Sequence, residues 1–142
     1  MAVLLEKNFP VEAGAFTTAG EASTTIKRTL KQLGVNAEVL RHVSVACYEV
    51  ELNLVIHSMG GVLTLDVYPD SIVLVSKDRG PGIPNLDMAM KEGYSTANEE
   101  ARALGFGAGM GLPNMKRNAD GFEIQSEVGV GTEIRMSFKI NA

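Results

Sequence analysis

The chain has 142 residues, 45% of them apolar and 21% charged, a composition that suits one globular domain with a sizeable core rather than a disordered segment. Its formal charge of −4 is spread over interspersed acids and bases, so no basic block can neutralise a run of phosphates and nucleic-acid binding gains little support. Apolar runs are too short to cross a bilayer, and the N-terminus has no signal-peptide pattern, so the expectation is a cytoplasmic protein without membrane contact. The lone Cys47 excludes an intrachain disulfide and any multi-cysteine metal site; among Val43, Val45, Ala46 and Val50 it reads as a buried thiol.

In chain order, Val3–Phe9 reads as a strand that Pro10 stops, because proline cannot donate to a sheet ladder. Ala22, Ile26, Leu30 and Leu33 recur at helical spacing before Gly34, a stop signal. Asn36 then caps a second helix whose apolar stripe is Val39, Leu40, Val43, Cys47, Val50 and Leu54, ending near His57 before Gly60 and Gly61. Strands follow near Val62–Tyr68 and Ser71–Lys77, joined by a Pro69-Asp70 turn. From Asp78 to Leu112 the chain is a long glycine-rich loop with one short helical patch around Leu86–Lys91; loops of that length inside a compact domain are usually functional. Pro113–Ala119 reads as a helix, Phe122–Glu127 as a strand. Ile134, Met136, Phe138 and Ile140 alternate with polar residues in a last, half-buried strand. Strands joined by short turns imply antiparallel neighbours, and the grouped helices imply one covered face. The expected fold is α+β, a two-layer α/β sandwich filling residues 1–142 as a single domain. The first strand could be a sheet edge open to homodimer pairing, or could be covered.

Three segments carry chemistry. Glu49, Asn53 and His57 lie four apart, on one face of the second helix. A carboxylate there can accept a proton, and an amide oxygen suits Mg²⁺; without further support the same line is an ordinary polar helix edge. Glu51, about 200° around the helix from Glu49, faces away from whatever Glu49 meets. Asp78-Arg79-Gly80-Pro81-Gly82-Ile83-Pro84 ends a strand in an aspartate, and its glycines allow close backbone approach. Gly105-Phe106-Gly107-Ala108-Gly109-Met110-Gly111-Leu112 runs into a helix, where exposed N–H groups and the positive dipole end favour phosphate. A dinucleotide fingerprint would need a preceding strand within a parallel βαβ unit, which the surrounding sequence does not provide.

Together these segments resemble the GHKL ATPase/kinase superfamily: Glu49/Asn53 its N box, Asp78/Gly80/Gly82/Ile83 its G1 box, Gly107/Gly109/Gly111/Leu112 its G2 box, and Gly131-Thr132 its closing element. The likeness runs from about residue 21 to 138. It implies a Bergerat ATP-binding fold, a mostly antiparallel sheet covered on one face by helices. The chain is too short for a phospho-accepting dimerisation helix pair or a transducer domain, and is most similar to the small anti-sigma-factor and stressosome switch kinases. That resemblance implies a protein serine/threonine kinase using ATP and Mg²⁺ on a STAS-domain regulatory protein, in a partner-switching or sigma-factor pathway. The alternative it implies is a non-catalytic, ATP-gated anti-sigma factor bound to a sigma factor or other partner.

By residue, the resemblance implies that Asp78 accepts from the adenine amino group, with Gly80, Gly82 and Ile83 beside the base and Thr132 supporting it. Asn53 would ligate Mg²⁺, and Glu49 would be the general base. Gly105, Gly107, Ala108, Gly109, Met110, Gly111 and Leu112 would line the phosphates, within a lid from about Asn85 to Gly109. His57 stands at the phosphate side, either touching ligand or favouring the helix dipole. Some anti-sigma kinases carry an arginine just before the G2 glycines; Gly105 and Phe106 stand there instead, leaving the γ-phosphate contact unassigned.

Overall fold

A computed structural model describes residues 3–15, 17–80, 82, 90 and 111–140. The elements are β1 (Leu5–Val11), α1 (Glu21–Gln32), α2 (Ala37–His57), β2 (Gly61–Val67), β3 (Ser71–Asp78), α3 (Gly111–Asn118), β4 (Gly121–Glu127) and β5 (Gly131–Lys139). The five strands form one antiparallel sheet in the order β1-β2-β3-β5-β4, so the last strand is inserted between β3 and β4. The expected α+β fold, an antiparallel sheet with its helices packed on one face, is the fold observed.

The core lies between the helices and that face. Leu63, Leu65, Ile72, Leu74, Ile134, Met136 and Phe138 point from the sheet into Ile26, Leu30, Val43, Val50, Leu54 and Met115 of the helices, all at most 1% exposed. Burying an aliphatic side chain of this size is worth about 1.5–3 kcal/mol, so this layer carries most of the driving force. From Thr132 onward the buried positions of β5 alternate with exposed or half-buried ones, as its sequence requires; Gly131 ahead of them is buried as well.

Asn36 caps α2 as expected: its side chain accepts from Val39 N–H at 2.9 Å. Three boundaries differ from the sequence reading. Pro10 lies inside β1, opposite Val62, instead of ending it. β1 is an outer strand among the described residues, and an edge strand tolerates a residue with no N–H. Leu33 is not part of the buried stripe. It is the C-cap of α1 and is 55% exposed, followed by Gly34 at φ 83°. α3 opens at Gly111, two residues before Pro113, which falls in the first turn where a helix has no use for its N–H. Among the described residues, no helix is long and apolar enough to cross a membrane.

Candidate functional site

The pairing of β3 with β5 brings together two segments that lie 54 residues apart in the chain. Asp78 ends β3, and Gly131 and Thr132 begin β5. Thr132 N–H donates to Asp78 Oδ1 at 2.8 Å, and the Thr132 hydroxyl shares a 2.9 Å hydrogen bond with Ser126. Gly131 has φ 154°, and a Cβ there would overlap the Asp78 carbonyl, so only glycine admits this approach. Burial raises the Asp78 pKa above its usual value, and the Thr132 N–H offsets part of that rise. Gly80 is buried and its N–H donates to Val130 O at 3.2 Å. At Gly82, with φ 74°, an added Cβ would stand 2.5 Å from Glu127 O. The backbone following β3 is thereby held against the β4–β5 turn. Asp78 Oδ2 has no partner among the described residues, which leaves it as an acceptor for an outside donor.

The second cluster lies where α2 packs along α3. Glu49 and Asn53 are half-buried on α2, one turn apart. Asn114 Nδ2 donates to Glu49 Oε1 at 3.3 Å, and a Cβ on Gly111 would lie 3.4 Å from Glu49 Oε2. The N-box carboxylate thus stands at the residue that opens α3, with Leu112 buried beside it in the core. A helix start offers unpaired N–H groups and a positive dipole end to an anion. His57 ends α2, and its side chain lies outside the described residues. Ile83, Gly105, Gly107, Ala108, Gly109 and Met110 also lie outside them, as do the expected Leu86–Lys91 patch, apart from Met90, and the expected lid.

Sequence reading missed the role of Glu51. It does point away from Glu49, but into the protein, where it is 3% exposed. Oε2 accepts from Gly20 N–H at 3.0 Å and Ala22 N–H at 3.3 Å; Oε1 accepts from Ser23 N–H at 2.9 Å and from the Ser23 hydroxyl. Gly20, at φ 101°, is the N-cap of α1 and has no side chain to cap with. Glu51 supplies the cap from the neighbouring helix, satisfying N–H groups that would otherwise be unpaired. Cys47, one turn before Glu51, is fully buried. Desolvation pushes its thiol up to about 12; a Ser23 hydrogen bond pulls downward, and the charge of Glu51 adds to the rise.

Among the described residues no group of three or more His, Cys, Asp or Glu could hold a metal ion. A magnesium ion that arrives with a nucleotide needs less from the protein: phosphates and retained waters supply most of its oxygens, so a single oxygen donor such as the Asn53 amide would suit it. An open groove of about 640 Å³ runs between α1 and α2, lined by residues including Ser23, Lys27, Arg28 and Tyr48. None of Glu49, Asn53, Asp78, Gly111 or Thr132 lines it, so it is separate from the two clusters above.

An antiparallel sheet backed by helices, an aspartate tied to the start of the last strand, and a Glu-x-x-x-Asn helix set against the end of a glycine-rich segment define a nucleotide-binding class. The chain belongs to the histidine kinase-like ATPase domain family, which it matches over residues 15–138. It is 29% identical over 113 residues to the serine/threonine-protein kinase RsbT of Bacillus subtilis (strain 168), covering 77% of this chain and 79% of that one. It is 30% identical over 128 residues to an anti-sigma F factor of Clostridium perfringens (strain SM101 / Type A), with coverage of 86% and 88%. A third relative, an anti-sigma F factor of Thermoanaerobacter sp. (strain X514), is 30% identical over 121 residues, with coverage of 82% and 81%.

Proposed function

We propose that this chain is a protein serine/threonine kinase that binds MgATP between α2, the end of β3 and the start of α3. Its substrate would be a STAS-domain regulatory partner in a sigma-factor or partner-switching pathway. The observation that carries the reading is the placement of Glu49 against Gly111: a carboxylate stands where the phosphate-side segment enters its helix. Asp78 accepts from the adenine amino group through Oδ2, its Oδ1 being held by Thr132. Asn53 would hold Mg²⁺, which would offset charge on the transferring phosphoryl group. Glu49 acts as general base. The acceptor hydroxyl gives its proton to a Glu49 oxygen while its own oxygen bonds to the γ-phosphorus. The bond from that phosphorus to the β,γ-bridging oxygen breaks, and ADP leaves. The relative named as a serine/threonine-protein kinase supports this chemistry.

A second reading is an ATP-gated binding module without turnover that holds a sigma factor, the kind of partner the name anti-sigma F factor gives those relatives. Incubation with [γ-³²P]ATP, Mg²⁺ and purified STAS-domain proteins from the same cell separates the two. The kinase reading expects transfer to one of them, and expects Glu49→Ala to lower its rate by about 10²–10⁴-fold while nucleotide still binds. Partner association that depends on ATP, with no transfer and no effect of Glu49→Ala, would establish the binding module instead.

A further inference from the structure

Both oxygens of Glu49 are turned toward the first turn of α3. Asn114 Nδ2 donates to Oε1 at 3.3 Å, and Oε2 faces Gly111. The orientation of the Asn114 amide follows from its other neighbour. Arg117 Nη2 donates to Asn114 Oδ1 at 2.8 Å. A guanidinium has donors and no acceptor, so the Asn114 atom facing it is the carbonyl oxygen, and the NH₂ group is left to face Glu49. Arg117, Asn114 and Glu49 therefore form a directed series in which each member donates to the next.

We infer that Asn114 is a positioning residue for Glu49. It occupies Oε1 and so presents Oε2, beside the glycine that opens α3, as the oxygen that takes the acceptor proton. The inference rests on the reading of Glu49 as the base. Asn114 is not needed to hold the two helices together. Leu112 and Met115 anchor α3 in the core, and His42 Nδ1 meets Asn118 Oδ1 at 2.9 Å as a second link between α2 and α3. The Asn118 amide is itself oriented by donation from Nδ2 to Asn114 O, a backbone contact that substitutions at 114 retain.

The test compares Asn114→Asp, Asn114→Ala and Asn114→Gln in the full chain, alone and with Glu49→Gln, using phosphotransfer from Mg-[γ-³²P]ATP to STAS-domain proteins and binding of MgADP. Asn114→Asp is the sharpest variant, because it keeps an acceptor for Arg117 and sets a like charge against Glu49. Expected is a fall in kcat of about 10–100-fold for Asp and Ala, the scale set by a misplaced reacting group, with KM for ATP and MgADP affinity within about twofold. Asn114→Gln, which retains the amide, recovers part of the rate. On the Glu49→Gln background, Asn114→Ala adds less than about a twofold loss, since both act through one group. Wild-type kcat in Asn114→Asp, with Glu49→Gln inactive, overturns the positioning role and leaves the base standing. Loss of MgADP binding in every Asn114 variant overturns it too, by making the residue part of the nucleotide site or the fold. Undiminished transfer by Glu49→Gln, or no transfer by the wild-type chain, overturns both readings.

Discussion

Replacing Glu51 by alanine separates structure from chemistry within one turn of α2. The Glu51 carboxylate is 3% exposed and receives hydrogen bonds from three backbone N–H groups and one hydroxyl at the start of α1. Hydrogen bonds to a charged group are worth about 1.5–3 kcal/mol each, but four donors on one carboxylate are not additive, and water can enter the space left behind. Removing one partner of a buried charged cluster costs about 3–5 kcal/mol, which is the magnitude expected here. With an m-value near 2 kcal/mol per M, the urea midpoint of Glu51→Ala should fall by about 1.5–2.5 M at unchanged m. Glu51→Gln, which retains one carbonyl oxygen, should lose roughly half as much. Glu49→Ala, two residues away, forfeits among the described residues only the 3.3 Å hydrogen bond from Asn114 and should stay within about 0.5 kcal/mol of wild type. A midpoint for Glu51→Ala within about 0.3 M of wild type would refute the cross-helix cap as a stabilising element.

Two further outcomes follow from the ionisable groups. Burial raises the Asp78 pKa, so the folded state holds that proton more tightly than the unfolded chain and loses stability as pH rises through the carboxylate range. Asp78→Asn should therefore be more stable than wild type without nucleotide at pH 7, with the difference vanishing as pH falls below that range in a series of thermal melts. On the proposed reading of Asp78 as the adenine contact, the same variant should lose nucleotide affinity, because an amide presents an N–H where that contact needs an acceptor. Cys47 is fully buried and its thiol lies near 12, so iodoacetamide at pH 8 should leave the native chain unmodified and label it fully in denaturant. Ready labelling of the native chain, followed by mass spectrometry, would contradict that burial.

Local signals made much of this fold readable. The Asn36 cap, the apolar stripe from Leu40 to Leu54 and the glycines at 60 and 61 bracket α2 because capping and helical periodicity act within a few residues. The alternation in β5 is equally local. What escaped depends on contacts made far along the chain. Pro10 reads as a stop until β1 is known to be an outer strand. Nothing in the spacing says that β5 enters between β3 and β4, yet that insertion is what sets Thr132 against Asp78. Asn114 is one polar residue of a short helix until α3 is laid along Glu49. Glu51 did carry a signal. It falls one turn after Cys47, between Val50 and Leu54, on the buried stripe of α2, and a carboxylate in that place requires donors from elsewhere in the fold.

The insertion of β5 also orders events in time. Asp78 can receive the Thr132 N–H only after residues 131–139 have found their place along β3, a contact spanning 54 residues of chain. Long separations of this kind are the slow part of folding, because the closure entropy is lost before the contact is made. On a ribosome, β1 to β3 and both early helices emerge well before the strand that brings Thr132 to Asp78. A growing chain therefore lacks the Asp78–Thr132 contact until its last strand is in the sheet, and on the proposed reading nucleotide stabilises only that completed molecule.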